Sequence, residues 1–333
     1  MRILQVVPTY LPARRYGGPI ESVHGLAKAL TARGHTVDVM TTNVDGPGVS
    51  DVPLGVAVDL EGVAVRYFPS PWPRLYWSPA MKTALKRDIV QYDVVHGHSI
   101  FLWPTAAAFR ESFRAQVPYL ISPRGMLVPE LIRRKSALAK KTWLRFVERS
   151  NFEHAAAIHF TSEGELRDAE RTNLPLPSPF IIPNGIDLPP ESDMVRERRT
   201  LLYLGRINWK KGIEQLIRAL PLLQDARLII AGNDEENYRA KLPRNDQVTF
   251  VGQVSGNEKD VLLRQATMLV LPSQNENFGN VVLEAMATGT PVVVTAGVVL
   301  APDVDRAHAG VVVANNEPAL LAAAIGRLLD DPE

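Results

Sequence analysis

The 333-residue sequence contains no cysteine, which excludes a disulfide scaffold, an iron–sulfur cluster, a cysteine-rich zinc site and a cysteine nucleophile. No run approaches the ~20 consecutive apolar residues that a membrane-spanning helix needs. The opening stretch Met1–Pro8 is too short for the apolar core of a signal peptide, and it lacks a small-residue cleavage site. We therefore expect a cytoplasmic protein without a membrane span.

Excess charge of one sign is also missing, because the formal net charge is only +1. This argues against a general nucleic-acid binder, which is usually basic overall. The balance conceals an asymmetry, with a net charge of +6 over residues 1–180 and −5 over residues 181–333. The length suggests two domains. The difference in net charge between the two halves indicates that they bind different partners, and the alternative is that the difference arose by chance.

Short β-rich runs alternate with helical patterns along the whole chain. Several of the runs are almost continuously apolar, as expected of parallel strands that are buried on both faces. The alternation predicts an α/β architecture with parallel sheets, in which helices such as Ile20–Arg33, Ile213–Leu222 and Glu258–Gln265 separate the strands. The predicted strands are Ile3–Val7, Thr36–Thr41, Ala64–Phe68, Val94–His98, Tyr119–Ser122, Ala157–Thr161, Phe180–Ile182, Leu201–Leu204, Ala226–Ala231, Val248–Val251, Met268–Leu271, Val292–Thr295 and Gly310–Val313.

A segment rich in turn formers, Pro183–Glu191, separates two series of these strands. Because proline and glycine interrupt regular structure most strongly, we place the domain boundary there. This gives an N-terminal domain of residues 1–183 and a C-terminal domain of residues 184–333. Two doubly wound domains are expected to face each other across a cleft, with ligands beyond the carboxyl ends of the strands.

Two strand–loop–helix junctions carry residues that suit a phosphorylated ligand. Gly17 and Gly18 precede a predicted helix. Glycine lets the backbone approach a ligand closely, and the helix N-terminus favours anions. The alternative is that the two glycines only form a simple turn. The junction matches neither the G-x-G-x-x-G fingerprint nor a P-loop. At the second junction, Arg206 and Lys211 flank a loop and suit a diphosphate, unless they are merely solvated surface charges.

A third junction, within Leu271–Ala287, leads from a strand to a helix that begins near Gly279. Glu276 lies in the loop and Glu284 inside the helix, so that both can face one pocket. Glu276 would be repelled by phosphates and is predicted to bind hydroxyl groups. The alternative for Glu284 is that it is an ordinary acidic residue on the helix surface. The backbone N–H groups that would point at an anion are those of Gly279, Asn280 and Val281.

The segment Glu276–Glu284 resembles the E-x7-E motif of the retaining glycosyltransferases of family 4, which have the GT-B fold. The surrounding Leu271–Val293 resembles that family closely, as do Gly205–Gly212, Ile182–Asp187 and Val251–Val254. The likeness covers essentially the whole chain, and it is strong over residues 181–295 and looser before residue 180. It implies an α/β protein with two Rossmann-like doubly wound parallel-sheet domains.

The resemblance also implies a role for each matching residue. Arg206 and Lys211 would bind the donor diphosphate and stabilise its departing charge, Glu276 would contact hydroxyls of the transferred sugar, and Glu284 would hold the ribose. His98 matches a histidine that the family places near the sugar, with a purely structural histidine as the alternative. The remaining donor-binding positions are Gly17, Gly18, Gly252, Gln253, Val254, Phe278, Gly279, Asn280 and Val281.

The chemistry that the family resemblance implies needs neither a metal nor a bound cofactor. Negative charge builds on the diphosphate as the sugar–phosphate bond breaks, and fixed cations and helix amides stabilise it. The sequence shows no His/Asp cluster with metal-ligand spacing. Retention in the family is explained by attack on the same face, with the departing phosphate taking the acceptor proton. A nucleotide-sugar is therefore the expected donor.

The acceptor side rests on two weaker signals in the N-terminal domain. Ile121–Leu127 resembles a segment of family members that build bacterial surface polysaccharides, so Arg124 is an acceptor-binding candidate. The alternative is a turn in which Arg124 is exposed to solvent. Residues 131–149 form a basic stretch with interleaved apolar residues. It would suit an anionic membrane surface and a lipid-linked acceptor, or else a core-packing helix with a solvated basic face.

Two departures from the family pattern qualify these expectations. Where the family often has Gly-Gly and an acid after Thr295, this sequence has Ala296–Asp303, so the family's contacts beyond Thr295 are not carried over. The chain stops at Glu333, whereas family members continue with helices that cross back to the first domain. We therefore expect the crossover helices to be missing. The alternatives to a sugar-transferring enzyme are a nucleotide-sugar epimerase of the same fold and an inactive truncated relic.

Overall fold

The computed structural model describes residues 1–14, 18–134, 136–234 and 237–330. The chain divides into two compact units, Met1–Gly185 and Ile186–Glu333, called unit 1 and unit 2 below. Each unit contains a largely parallel sheet with helices between successive strands, as the alternation of apolar runs and helical patterns predicts. Among the described residues, no helix is both long and apolar enough to cross a membrane.

Unit 1 contains an eight-stranded sheet and a small hairpin. Its strands are β1 (Arg2–Val6), β2 (Thr36–Thr42), β3 (Val44–Asp45), β4 (Gly48–Val49), β5 (Ala57–Leu60), β6 (Val63–Phe68), β7 (Val94–His98), β8 (Tyr119–Ser122), β9 (Ala157–Phe160) and β10 (Pro179–Ile181). The sheet order is β10-β9-β8-β7-β1-β2-β6-β5, in which only β5 runs antiparallel to its neighbour. Strands β3 and β4 form the hairpin.

The helices of unit 1 connect these strands, and the longest follow β1 and β7. They are α1 (Gly18–Ala32), α2 (Pro79–Asp88), α3 (Trp103–Ala115), α4 (Pro129–Arg134), α5 (Ala137–Trp143), α6 (Arg149–Glu153) and α7 (Glu163–Glu170). A π-helical turn, Leu144–Glu148, joins α5 to α6 without a break. Short 3-10 turns occupy Pro73–Leu75 and Ile89–Gln91.

Unit 2 contains a six-stranded parallel sheet with the order β13-β12-β11-β14-β15-β16. Its strands are β11 (Thr200–Leu204), β12 (Arg227–Ala231), β13 (Val248–Gly252), β14 (Met268–Leu271), β15 (Val292–Thr295) and β16 (Gly310–Val313). Its helices are α8 (Ile213–Ala219), α9 (Gly256–Gln265), α10 (Asn280–Ala287), α11 (Ala301–Arg306) and α12 (Pro318–Asp330), and its 3-10 turns are Trp209–Lys211, Leu220–Leu222 and Tyr238–Lys241. Strands β14 and β15 are buried throughout, which explains their continuous apolar sequences.

The strand orders fix where each unit can bind a ligand. In unit 1 the chain leaves β1 toward β2 and later returns to β7 on the other side of β1; in unit 2 it leaves β11 toward β12 and later returns to β14. Such points, where the strand order reverses, open a crevice at the carboxyl ends of the two central strands. The crevices therefore lie after Val6 and His98 in unit 1, and after Leu204 and Leu271 in unit 2.

The two faces of the unit 1 sheet have different chemical character. Leu4 and Val6 pack into one apolar core, whereas Ile3 packs into a second core with α1. Since alternate strand residues point to opposite faces, Gln5 lies on the face of Ile3. In the strand register Gln5 pairs with His96, and His98 pairs with Ser122. A row of polar side chains therefore crosses the middle of this sheet.

Each of the thirteen predicted strands is present, with bounds that differ by no more than one residue. Strands β3, β4 and β5 were not predicted. Strands β3 and β4 have two residues each, and β5 is an edge strand without a fully buried residue. Such segments carry almost no apolar periodicity, because little of their surface is buried.

Candidate active site

Close approach of three loops shapes the crevice of unit 2. After β11 the chain passes through Gly205, whose carbonyl lies against Gly232, and a Cβ on Gly232 would come within 1.8 Å of that oxygen. Further along, Gly212 has a φ of +68° and lies against Pro272 at the end of β14, with 2.1 Å between a notional Cβ and the Pro272 carbonyl oxygen. Glycine is required at both positions, and the result is tight contact between the loops after β11, β12 and β14.

Lys211 and Glu276 meet in this crevice. The Lys211 ammonium forms an ion pair and hydrogen bond with Glu276 Oε2, and the two side chains are 14% and 19% exposed. Ser273 Oγ also donates to Oε2, at 3.4 Å. Both of these bonds end on the same carboxylate oxygen, Oε2. Partial burial strengthens the pair relative to a fully solvated one while leaving it accessible to a ligand.

The backbone of Glu276 is held by the segment that departs from the family pattern. Its N–H donates to the Gly297 carbonyl at 2.9 Å, and its carbonyl accepts from the Val299 N–H at 3.3 Å. Gly297 packs against Gln274, where a Cβ would lie 2.2 Å from the carbonyl oxygen. Residues 297–299 therefore fix the position of the Glu276 loop, even though their sequence differs from the expected Gly-Gly-acid.

Helix α10 presents the second acidic residue. Gly279 caps the helix with a φ of +87°, and Asn280 and Val281 are its first residues. Glu284 lies one turn further on, and its Oε1 accepts from Lys259 Nζ at 2.8 Å. Lys259 belongs to α9 and was not singled out in the sequence. Glu276 and Glu284 therefore each have a lysine partner.

The other predicted donor residues of unit 2 lie around these two pairs. Arg206 is exposed at the end of β11, and its carbonyl accepts from the buried Tyr203 hydroxyl at 2.8 Å. Burial raises the pKa of Tyr203 well above its usual value, so that this hydroxyl stays protonated and donates. Gly252 and Gln253 are exposed and Val254 is half-buried. The Phe278 ring belongs to the apolar core, so only the backbone there is available to a donor.

In unit 1, His98 is buried and both of its ring nitrogens are bonded. Nε2 bonds Gln5 Oε1, while Nδ1 accepts from Arg124 at 3.1 and 3.3 Å. Because a guanidinium only donates, this arrangement requires the neutral ring with its proton on Nε2. Burial and the nearby His96 ring lower the pKa of His98 well below its usual value. In this state the ring has no nitrogen left for a sugar hydroxyl.

A second chain of hydrogen bonds crosses the same sheet. His96 Nε2 bonds Ser122 Oγ at 2.7 Å, Ser122 Oγ bonds His159 Nδ1 at 2.8 Å, and His159 Nε2 bonds the Ile182 carbonyl at 2.9 Å. One consistent direction of donation satisfies all these groups with neutral rings. Burial lowers the pKa of His159 to about 4.

A tight turn after β8 places the Arg124 side chain beside the His98 ring. Arg124 has a φ of +56°, and its Nη1 donates to Asn184 at 2.8 Å. The buried Glu165 carboxylate accepts from the Gly125 N–H and from the Thr161 N–H and hydroxyl, which fixes the turn. Burial lowers the pKa of Arg124 to about 10, so it stays charged at neutral pH. Gly17 lies outside the described residues, and Gly18 begins α1.

The loop after His98 is also held by a residue that lies far along the chain. Ser99 and Phe101 have φ values of +79° and +63°, which side-chain-bearing residues seldom adopt. The buried Glu148 accepts from the Phe101 N–H at 2.8 Å and from Trp143 Nε1 at 2.7 Å. Burial raises the pKa of Glu148. The π-helical turn that carries Glu148 thus supports the crevice of unit 1.

Each of the two units matches the model of a known protein family. Residues 17–185 match the model of the glycosyl transferase 4-like domain, and residues 187–333 match the model of the glycosyl transferases group 1. The chain belongs to the group 1 glycosyltransferases. Together with the resemblance of the Glu276–Glu284 motif, this confirms the predicted family and favours sugar transfer over the epimerase alternative.

Similar proteins span almost the whole chain of this glycosyltransferase. An uncharacterized glycosyltransferase of Methanocaldococcus jannaschii is 30% identical over 99% of this chain and 90% of its own, and a glycogen synthase of Mycobacterium tuberculosis is 31% identical over 100% and 87%. Among solved structures, a sucrose-phosphate synthase from Thermosynechococcus elongatus superimposes with a TM-score of 0.76 at 23% identity, covering 100% of this chain and 90% of its own. Anabaena HepE, solved with UDP and glucose, gives 0.76 at 19% over the same shares. These likenesses confirm the GT-B fold.

The structure brings some of the predicted residues together and adds others. Lys211 contacts Glu276 in unit 2, and Arg124 contacts His98 in unit 1. Five residues of these networks were not predicted from the sequence: Lys259, Gln5, Ser122, His159 and Glu165. A signal existed for Gln5 and His159, since each is a polar residue inside an apolar strand. No local pattern marks Lys259, whose partner lies 25 residues away.

Proposed function

We propose that this glycosyltransferase is a retaining hexosyltransferase that uses a nucleotide-sugar donor. The observation that carries the proposal is the convergence of Lys211 and Glu276 at the point where the strand order of unit 2 reverses. Anabaena HepE, which shares the fold, was solved with UDP-glucose, and this supports a donor of that class. The proposed acceptor is a lipid-linked or glycan hydroxyl in surface polysaccharide biosynthesis.

In the proposed reaction, the bond between the anomeric carbon and the β-phosphate oxygen breaks, and its electron pair stays with the diphosphate. Lys211 and Arg206 stabilise the charge that develops there, aided by the N–H groups at the start of α10. The acceptor hydroxyl attacks the anomeric carbon on the same face, and its proton passes to the departing phosphate oxygen. The configuration of the sugar is retained.

Each acidic residue has a distinct part in this proposal. Glu276 holds Lys211 through Oε2 and offers Oε1 to sugar hydroxyls. Glu284 accepts from the ribose hydroxyls, and Gly252–Val254 border the base. In unit 1, Arg124 is proposed to meet the acceptor or a phosphate, and His98 is kept as the proposed sugar-side histidine, with its ring held by Gln5 and Arg124. The fixed cations make a metal ion unnecessary.

Residues 131–149 are the proposed contact with an anionic membrane on the cytoplasmic side. In the structure Leu138 is 80% exposed and Phe146 is 72% exposed, and Lys141, Arg145 and Arg149 are exposed near them. Exposed apolar side chains among basic ones are typical of helices that lie in a membrane surface.

A donor screen tests the proposal. The protein is heated with each member of a panel of nucleotide-sugars, and a true donor at 100 times its dissociation constant should stabilise it by about 2.7 kcal/mol. NMR of the product made from that donor should show an unchanged anomeric configuration. The variant Glu276→Gln should lose transfer while keeping its fold. Inversion of configuration, or full activity in Glu276→Gln, would contradict the mechanism.

A further inference from the structure

A groove of about 700 Å³ opens on unit 1, and none of the residues assigned to the donor or the acceptor above lines it. Helix α3 forms one side of it, and the continuous helix from α5 through the π-helical turn to α6 forms the other. Its volume is in the range that holds one small or chain-like molecule.

The sequence of α3 explains why the groove is there. Ala106 and Ala107 lie at the middle of its wall, between the bulky Trp103 and Phe113. Alanine leaves space that a larger side chain would fill. Beneath them the Phe109 ring stacks on the Tyr119 ring, with centroids 4.9 Å apart.

The opposite wall is apolar in its first half and polar in its second half, where Ser150, Asn151 and His154 line it. Trp143, Phe146 and Val147 line the apolar half, and Phe146 is 72% exposed. Across the groove Phe113 is 54% exposed and lies against the His154 ring, with centroids 4.2 Å apart. Large aromatic side chains left in water beside a groove mark an interaction site rather than a packing surface.

The rim of the groove is positively charged. Lys82 and Arg110 are exposed there. The groove's one acidic lining residue, Glu111, is buried and already paired with Arg114 at 2.9 Å. Two cations thus remain for a ligand. The apolar part of the groove, with Phe109 at its base and Trp103, Phe146 and Val147 around it, lies below a cationic rim. This combination complements a molecule with a hydrocarbon chain and an anionic head.

We infer that this groove receives one hydrocarbon chain of an anionic membrane lipid, whose headgroup is held by Lys82 and Arg110. The inference rests on the proposed membrane contact of residues 131–149 and adds how that contact is made. The helix does not only lie on the headgroups, because the alanines of α3 let a lipid chain enter behind it.

The test compares binding to phosphatidylcholine vesicles with and without phosphatidylglycerol. Ala107→Phe fills the groove, whereas Ala139→Phe adds the same ring on an exposed face of α5 outside it. We expect wild type to bind only the anionic vesicles, Ala107→Phe to bind them about tenfold more weakly, and Ala139→Phe to bind at least as well as wild type. The double variant Lys82→Gln/Arg110→Gln should also bind about tenfold more weakly without repacking the groove.

Quenching by bromine on the lipid chains reports entry directly. Bromine atoms should quench tryptophan fluorescence in wild type, and Trp103→Phe should remove a large part of that quenching because Trp103 lines the groove. Equal binding by Ala107→Phe and wild type, with quenching unaffected in Trp103→Phe, would overturn the inference in favour of simple surface adsorption.

Failure of the inference is distinguishable from failure of the proposed activity. If wild type binds no vesicles, the inference and the membrane contact are both wrong. Stabilisation by a nucleotide-sugar and transfer to a soluble acceptor, measured on the same preparation, still decide the proposed sugar transfer. Equal melting temperatures of the variants and wild type exclude misfolding, and the charge variant decides if Ala107→Phe fails to fold.

Discussion

The two sheets present charge at their crevices in opposite ways. In unit 2, Lys211 and Glu276 neutralise each other while staying partly exposed, so the diphosphate and sugar that we propose as ligands would be able to share or replace each partner. In unit 1, His98 is buried and neutral, and Gln5 and Arg124 bind both of its nitrogens. Unit 2 is therefore arranged to exchange partners with a ligand. Unit 1 is arranged to keep a fixed network, and that network affects stability.

Removal of Lys211 is expected to give the largest effect. Lys211→Ala takes away the cation that the proposed mechanism places near the developing diphosphate charge, and it leaves the partly buried Glu276 without its lysine partner. Loss of one such group typically lowers kcat by about 10²–10³. Steady-state kinetics with the donor found by the screen measures this loss.

Lys210→Ala is the matched control for that experiment. Lys210 is the preceding residue, and its ammonium lies 5.6 Å from the centre of the Trp209 ring rather than against Glu276. It should retain activity within a few-fold of wild type. Comparable losses in the two variants would mean that the loop, and not the Lys211 charge, supports catalysis.

Most of the architecture could be predicted from the sequence because buried parallel strands are apolar throughout. The strand ends then pointed to the loops with Arg206, Lys211 and Glu276. What the sequence could not give is pairing between distant residues. The partners of Glu284 and His98 are Lys259 and Arg124, at separations of 25 and 26 residues. Neither separation follows a helix or strand period.

Acid should weaken unit 1 through its buried histidines. The pKa of His159 is about 4 in the folded chain because of burial, against about 6.5 when unfolded. Between these values the unfolded chain binds more protons, so the free energy of unfolding falls as the pH drops. From pH 7 to pH 5, His159 alone should cost about 2 kcal/mol. His96 and His98, whose pKa values are also lowered by burial, act in the same direction.

Urea unfolding at pH 7 and pH 5 measures this dependence. His159→Gln removes one titrating group, so its stability should change less between the two values than that of wild type. His154→Gln is the control, since His154 lies on the exposed side of unit 1. If His159→Gln and wild type lost equal stability on acidification, His159 would not be held neutral by burial.

The smallest effect is expected at Lys259, where unit 2 most resembles the fixed network of unit 1. Lys259 orients Glu284 as Arg124 orients His98, but the pair is 26% and 21% exposed, more than Lys211 and Glu276 are, and is therefore expected to contribute less than that pair. Lys259→Met should raise the donor KM about threefold with kcat unchanged, since the ribose is bound equally in the ground and transition states. Glu284→Gln, which keeps the shape but loses the charge, should raise KM further. A lower KM in Lys259→Met would instead show that Lys259 competes with the ribose for Glu284. The Lys259–Glu284 ion pair would then resemble the Lys211–Glu276 pair, because it would separate when the ligand binds.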